Sequence, residues 1–118
     1  MRSKDYKGRC TKKKLKKSDG VVRLYDNIQV AFADILDSDP NIQKITANYF
    51  LQDFSEGAFT SDFVCIKVSG DYLVRECVYR RKLTLPRTCR LLDASRKYWL
   101  KRGVDDWGIV VEKEASDE

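Results

Sequence analysis

The chain has 118 residues, 42% apolar and 35% charged, which suits one domain around one core and excludes both a multidomain enzyme and wholesale disorder. Its longest uninterrupted aliphatic run, Ile109 to Val111, falls far short of the roughly 20 apolar residues of a membrane-spanning helix. The lysine-rich N-terminus lacks the apolar segment of a secretory signal, so a cytoplasmic protein without membrane partners is expected.

The net charge of +5 is uneven, with +8 in residues 1–24 and −3 in the rest. Residues 1–22 are polar, cationic and without periodicity, and read as a basic flexible arm that ends near the turn-forming Ser18, Asp19 and Gly20. A single domain is expected over 23–112. Asp26 is placed to cap a helix whose apolar positions Ile28, Ala31, Phe32, Ile35 and Leu36 share a face, and Asp37 to Pro40 end it. Ile42 and Ile45 lead into a strand over Thr46 to Leu51, and a second strand runs from Phe59 to Val68. Ser69, Gly70 and Asp71 form a tight turn into a third strand, Tyr72 to Tyr79, paired antiparallel with the second. A helix over about 85–102 follows, with Thr84 as cap, Pro86 in its first turn and Gly103 at its close. Trp107 to Val111 forms a last strand before an acidic tail over 113–118. The class is α+β: a small mixed sheet in the order helix, three strands, helix, strand.

The chemistry available is narrow. With no histidine, Ser-His and Cys-His nucleophiles are excluded, and Cys10, Cys65, Cys77 and Cys89 lack the close paired spacing of a zinc site. Four reduced thiols are expected, with Cys65 and Cys77 as small buried hydrophobes. Asp62 and Glu76 lie on neighbouring strands about a midpoint at residue 69, beside the turn, and both are even-numbered. Preserved register therefore brings them level on one sheet face, as a metal-binding pair or as ordinary structural carboxylates. Clustered cations point to nucleic acid: Lys12, Lys13, Lys14, Lys16 and Lys17 in the arm, Arg80, Arg81 and Lys82 after the third strand, and Arg87 and Arg90 on the second helix. Tyr98, Trp99 and Trp107 fit apolar periodicities and are expected in the core.

Three segments together resemble a known family: Thr60-Ser61-Asp62-Phe63-Val64, Val74-Arg75-Glu76-Cys77-Val78, and Tyr98 to Ile109 with its Lys101-Arg102-Gly103-Val104-Asp105-Asp106-Trp107 centre. With the helix exit Asp37 to Ile42, they are similar to the N-terminal endonuclease domain of TnsA, the transposase subunit that cuts donor DNA, over about residues 25–112. The resemblance implies a restriction-endonuclease-like core. It puts the family's strand Asp on Asp62 and its Glu or Gln on Glu76, but the helix acid on Gln29 and the lysine on Val78. Neither Gln29 nor Val78 can supply the missing carboxylate or ammonium, so a relict site is implied, with magnesium or manganese bound weakly if at all. The function expected is a nucleic-acid-binding protein of a mobile element with little or no cleavage. The alternatives are an active metal-dependent DNA endonuclease and a phage or mobile-element inhibitor of a host CRISPR-type defence nuclease. Expected partners are DNA or a nucleoprotein complex, with a transposase subunit or a defence nuclease as protein partner.

Overall fold

The structure is a computed structural model and describes residues 10–113. The arm before Cys10 and the acidic tail from Glu114 lie outside the described residues. The fold is α+β. Its strands and helices run β1 (Thr11–Lys14), β2 (Val21–Leu24), α1 (Asn27–Asp37), β3 (Ile42–Phe50), β4 (Thr60–Lys67), β5 (Tyr72–Cys77), α2 (Pro86–Lys101) and β6 (Trp107–Val110), with a short 3-10 turn at Arg80–Lys82. A four-stranded sheet has the order β3-β4-β5-β6, antiparallel except for the parallel β5–β6 pair, and β1 and β2 make a separate hairpin.

Alternation along the central strands divides the core between the two sheet faces. Phe63, Cys65 and Cys77 pack with Ile28, Ala33 and Leu36 of α1, whereas Val64, Val74 and Val78 pack with Leu91, Leu92 and Trp99 of α2. Asp26 caps α1, its carboxylate accepting the Gln29 N–H at 2.8 Å, and the β4–β5 hairpin turns at Gly70 in the left-handed region, φ 95°. Its register, Ile66 against Tyr72 through Phe63 against Arg75, is the one expected from the sequence.

Two local expectations are corrected. Residues 11–24 are a hairpin, not an arm: Leu15 and Leu24 are buried against α1, and the Lys16 and Lys17 N–H groups donate to the Asp37 carboxylate at 3.1 Å each. The lysines hide this in the sequence: Lys12 and Lys14 stand on the solvent face of β1, while Lys13 between them is half-buried and paired with Asp34 of α1, so no apolar alternation marks the strand. Thr84 does not cap α2. The N-cap is Leu85, with no side-chain bond, and Pro86 opens the helix. Proline at the first helical position lacks the N–H that a cap would otherwise help satisfy.

An ion cluster anchors β6 to the sheet. Asp106, just before the strand, takes Lys67 Nζ at 2.6 Å and Arg75 Nη2 at 2.8 Å. Arg75 lies across Gly108, where an added Cβ would meet its Nε at 3.3 Å, so the bare glycine makes room for the guanidinium. The Lys67 hydrogen bond, then Arg75, holds the Asp106 carboxyl below its ordinary value, and the Asp106 hydrogen bond pushes the Lys67 ammonium up. A lowered carboxyl stabilises the fold above its unfolded value and loses that contribution as pH falls through its folded value. Melting temperature should therefore drop on acidification below about pH 4, and Asp106→Asn should flatten that acid limb in thermal melts across pH. A variant with an unchanged acid limb would exclude Asp106 as its source.

Candidate functional site

Asp62 and Glu76 meet inside the protein, 1% and 0% exposed. The β4–β5 ladder pairs Phe63 with Arg75, and one further step in the same register sets Asp62 opposite Glu76. There side chains enter the pairing: the Asp62 N–H donates to Glu76 Oε1 at 3.1 Å, and the Cys77 N–H donates to Asp62 Oδ2 at 2.7 Å. Ser61, which strict alternation would place on the Phe63 face, turns instead to Glu76 and donates to its Oε2 at 2.6 Å.

Helix α2 completes the cluster. Ser95 Oγ also donates to Glu76 Oε2, at 2.8 Å. Trp99 Nε1 donates to Ser61 Oγ at 3.1 Å, and Trp107 Nε1 donates to Ser95 Oγ at 3.0 Å. An indole can only donate, so each serine accepts from a tryptophan and passes its own hydrogen on to the carboxylate. Two relays thus converge on one oxygen of Glu76. Trp99 and Trp107 belong to or pack against the core, as expected, and also carry this polar role. Ser61, Ser95 and the two indole donors are missing from the sequence reading, because their meeting depends on how α2 lies across the sheet.

The other carried-over positions divide. Gln29 is brought to the pair: it is 1% exposed, its Oε1 accepts the Tyr25 N–H at 2.8 Å, and its Nε2 donates to Asn48 Oδ1 at 2.8 Å and, at 3.4 Å, to the Asp62 main-chain oxygen. Asn48 holds a left-handed φ of 56° within β3, uncommon for a residue with a side chain, and its Nδ2 bonds the Arg23 carbonyl at 2.7 Å. These two bonds hold it there. Val78 is part of the apolar α2-side core, and its N–H donates to the Val110 carbonyl at 2.9 Å.

Among the described residues, no three His, Cys, Asp or Glu side chains are grouped to hold a metal ion. An open groove of about 480 Å³ between residues 53–56 and α2 is lined by Glu56, Arg90, Lys97, Tyr98 and Arg102 among others, and by neither Asp62 nor Glu76. All four cysteines are free thiols, and burial pushes the Cys65 thiol up to about 12.

The expected cations are spread over several elements. Lys12 and Lys14 project from the outer face of the hairpin, joined by Arg23 across the pair, while Lys13 turns inward to Asp34 at 2.5 Å. Lys16 is exposed, and Lys17 Nζ is spent on the Asp39 carbonyl at 2.5 Å. Arg80 is engaged with Glu112, its N–H to Oε1 at 2.8 Å and its Nε to the main-chain oxygen at 3.1 Å, and Arg81 lies over the Tyr79 ring at 4.7 Å. Lys82 is half-buried, and Arg87 and Arg90 are exposed in the first turns of α2. No described helix is long and apolar enough to cross a membrane. No family model matches the chain, and no curated protein proves similar to it.

Proposed function

We propose that the protein is a cytoplasmic, non-cleaving nucleic-acid-binding protein of a mobile element, built on a TnsA-like nuclease fold whose catalytic positions have become structural. The observation that carries the binding half is two groups of cations that make no ion pair among the described residues: Lys12, Lys14 and Arg23 on the hairpin, and Lys82, Arg87 and Arg90 at and just before the start of α2. Unpaired lysines and arginines gain most from phosphate, because contact releases the counterions condensed on the duplex. Such contacts recognise the backbone and carry little sequence choice.

The non-cleaving half is supported by the use made of Asp62 and Glu76. Their oxygens accept main-chain and hydroxyl hydrogens within the core, and the neighbouring Gln29 and Val78 bring neither a carboxylate nor an ammonium. Catalysis by this fold would need those oxygens turned to a metal and a phosphodiester.

Fluorescence anisotropy with a labelled duplex at several salt concentrations tests the reading. Six phosphate contacts predict an affinity loss of about a thousandfold between 50 and 200 mM salt. Replacing Lys12, Lys14 and Arg23 together by glutamate should lower the log–log salt slope by about 3. Absence of retention at 50 mM salt would end the nucleic-acid reading and move attention to a protein partner such as a defence nuclease.

A further inference from the structure

Among the described residues, strand β6 is an edge of the four-stranded sheet, with no strand paired on its outer side. The Val74 N–H donates to the Asp106 carbonyl and the Val78 N–H to the Val110 carbonyl, both toward β5. In a parallel ladder this turns the even-numbered residues of β6 toward β5 and leaves the main-chain groups of Ile109 and Val111 facing outward. Two of the usual protections are absent from the strand itself. Trp107-Gly108-Ile109-Val110 contains no proline and no charge, and the Ile109 side chain is 43% exposed.

We infer that β6 pairs with β6 of a second copy of this chain, antiparallel about a two-fold axis at Ile109, joining the two sheets into one. In this register Ile109 faces Ile109 of the other copy and the two exchange both main-chain hydrogen bonds. The Val111 N–H of each copy meets the Trp107 carbonyl of the other, and the Trp107 N–H keeps its internal bond to the Asp105 carbonyl at 2.9 Å. On the same face, Ile109 packs on Ile109 and Val111 beside Trp107.

Charge selects this register and this partner. Two steps beyond Trp107 and Val111, Asp105 of each copy falls opposite Lys113 of the other, an acid against a base at both ends of the ladder. Both residues are exposed, and neither is in an ion pair among the described residues. The like-charged pair on the other face, Asp106 opposite Glu112, is already eased: Asp106 by ion pairs with Lys67 and Arg75, and Glu112 by the Arg80 main-chain N–H at its Oε1 and, more weakly, by the nearby Arg80 and Arg81 charges. A parallel pairing, or a shift by two residues, loses the Asp105–Lys113 match. A short edge-to-edge contact falls at the small end of protein interfaces, so association in the micromolar range is expected.

Sedimentation velocity of the full chain, with reductant present to keep the exposed Cys89 from cross-linking, tests this across about 1 to 500 µM, a range bracketing micromolar association. A concentration-dependent monomer–dimer equilibrium is expected. Ile109→Lys should abolish the dimer and leave the circular dichroism spectrum unchanged. Asp105→Lys should weaken association about tenfold, and combining it with Lys113→Asp should restore it. If Ile109→Lys does not fold, the charge-exchange pair decides alone. A monomer throughout the range, a dimer indifferent to Ile109→Lys, or a double exchange that fails to recover association overturns the inference. These readouts involve no nucleic acid and stand apart from the binding proposed above.

Discussion

Glu76→Ala should cost about 4 to 5 kcal/mol of folding stability, close to the largest effect a single substitution produces. The side chain is fully buried and accepts from the Ser61 and Ser95 hydroxyls and the Asp62 N–H. Each donor stranded in the core costs about 1 to 3 kcal/mol, and the vacated volume adds to that. Glu76→Gln should cost less, about 2 to 3 kcal/mol, because one amide oxygen still accepts while the amide nitrogen is set against a donor. Urea denaturation of the three proteins measures both. A domain of this size holds roughly 5 to 15 kcal/mol, so the alanine variant should approach the unfolding threshold. A loss below about 1 kcal/mol would instead describe a carboxylate free to leave the network, as a working metal ligand must be.

Asp62→Ala should cost about 2 to 3 kcal/mol, and Asp62→Asn about 1 kcal/mol or less. The Asp62 carboxylate accepts the Cys77 N–H at 2.7 Å, which alanine cannot replace and an asparagine oxygen can. A metal site predicts the opposite sign. There the apo protein would suffer repulsion between the two carboxylates, so asparagine would raise the melting temperature and remove a manganese-induced shift. Thermal melts of wild type and Asp62→Asn, each with and without manganese, separate the cases. The expected result is a slightly less stable variant and no manganese shift in either protein. A stabilised variant with a metal shift in wild type would restore the relict-site reading.

The meeting of Asp62 and Glu76 was legible because hairpins obey arithmetic: the Ser69-Gly70-Asp71 turn sets a midpoint, and the register follows from it. Helix α1 was legible from its Asp26 cap and its exit at 37–40, but its inward face was read only in part: Ile28 and Leu36 are buried as expected, whereas Ala31 and Ile35 are exposed and Gln29 and Ala33 turn inward in their place. What escaped were features in which local signals compete or distant elements cooperate. Leu15, Val22 and Leu24 around the Ser18–Gly20 turn carried a hairpin signal, but the lysines between them looked like a solvated tail. Ser61 breaks the alternation of β4 for the sake of Glu76 and Trp99, and Ser95 reaches Glu76 from a helix, 19 positions further along the chain. Small polar residues gain meaning only from their neighbours after packing, so nothing local marked these two. Leu85 took the cap position from Thr84 because proline at the next residue already defines where α2 begins.

The two indole relays make the molecule its own optical reporter. The chain contains two tryptophans, and both end, through one serine each, on the same oxygen of Glu76. Their nitrogens come from different elements, α2 and β6, so the helix and the edge strand are registered against a single interior point. The ultraviolet emission of the protein therefore samples one place in the core, from two directions, with no label added.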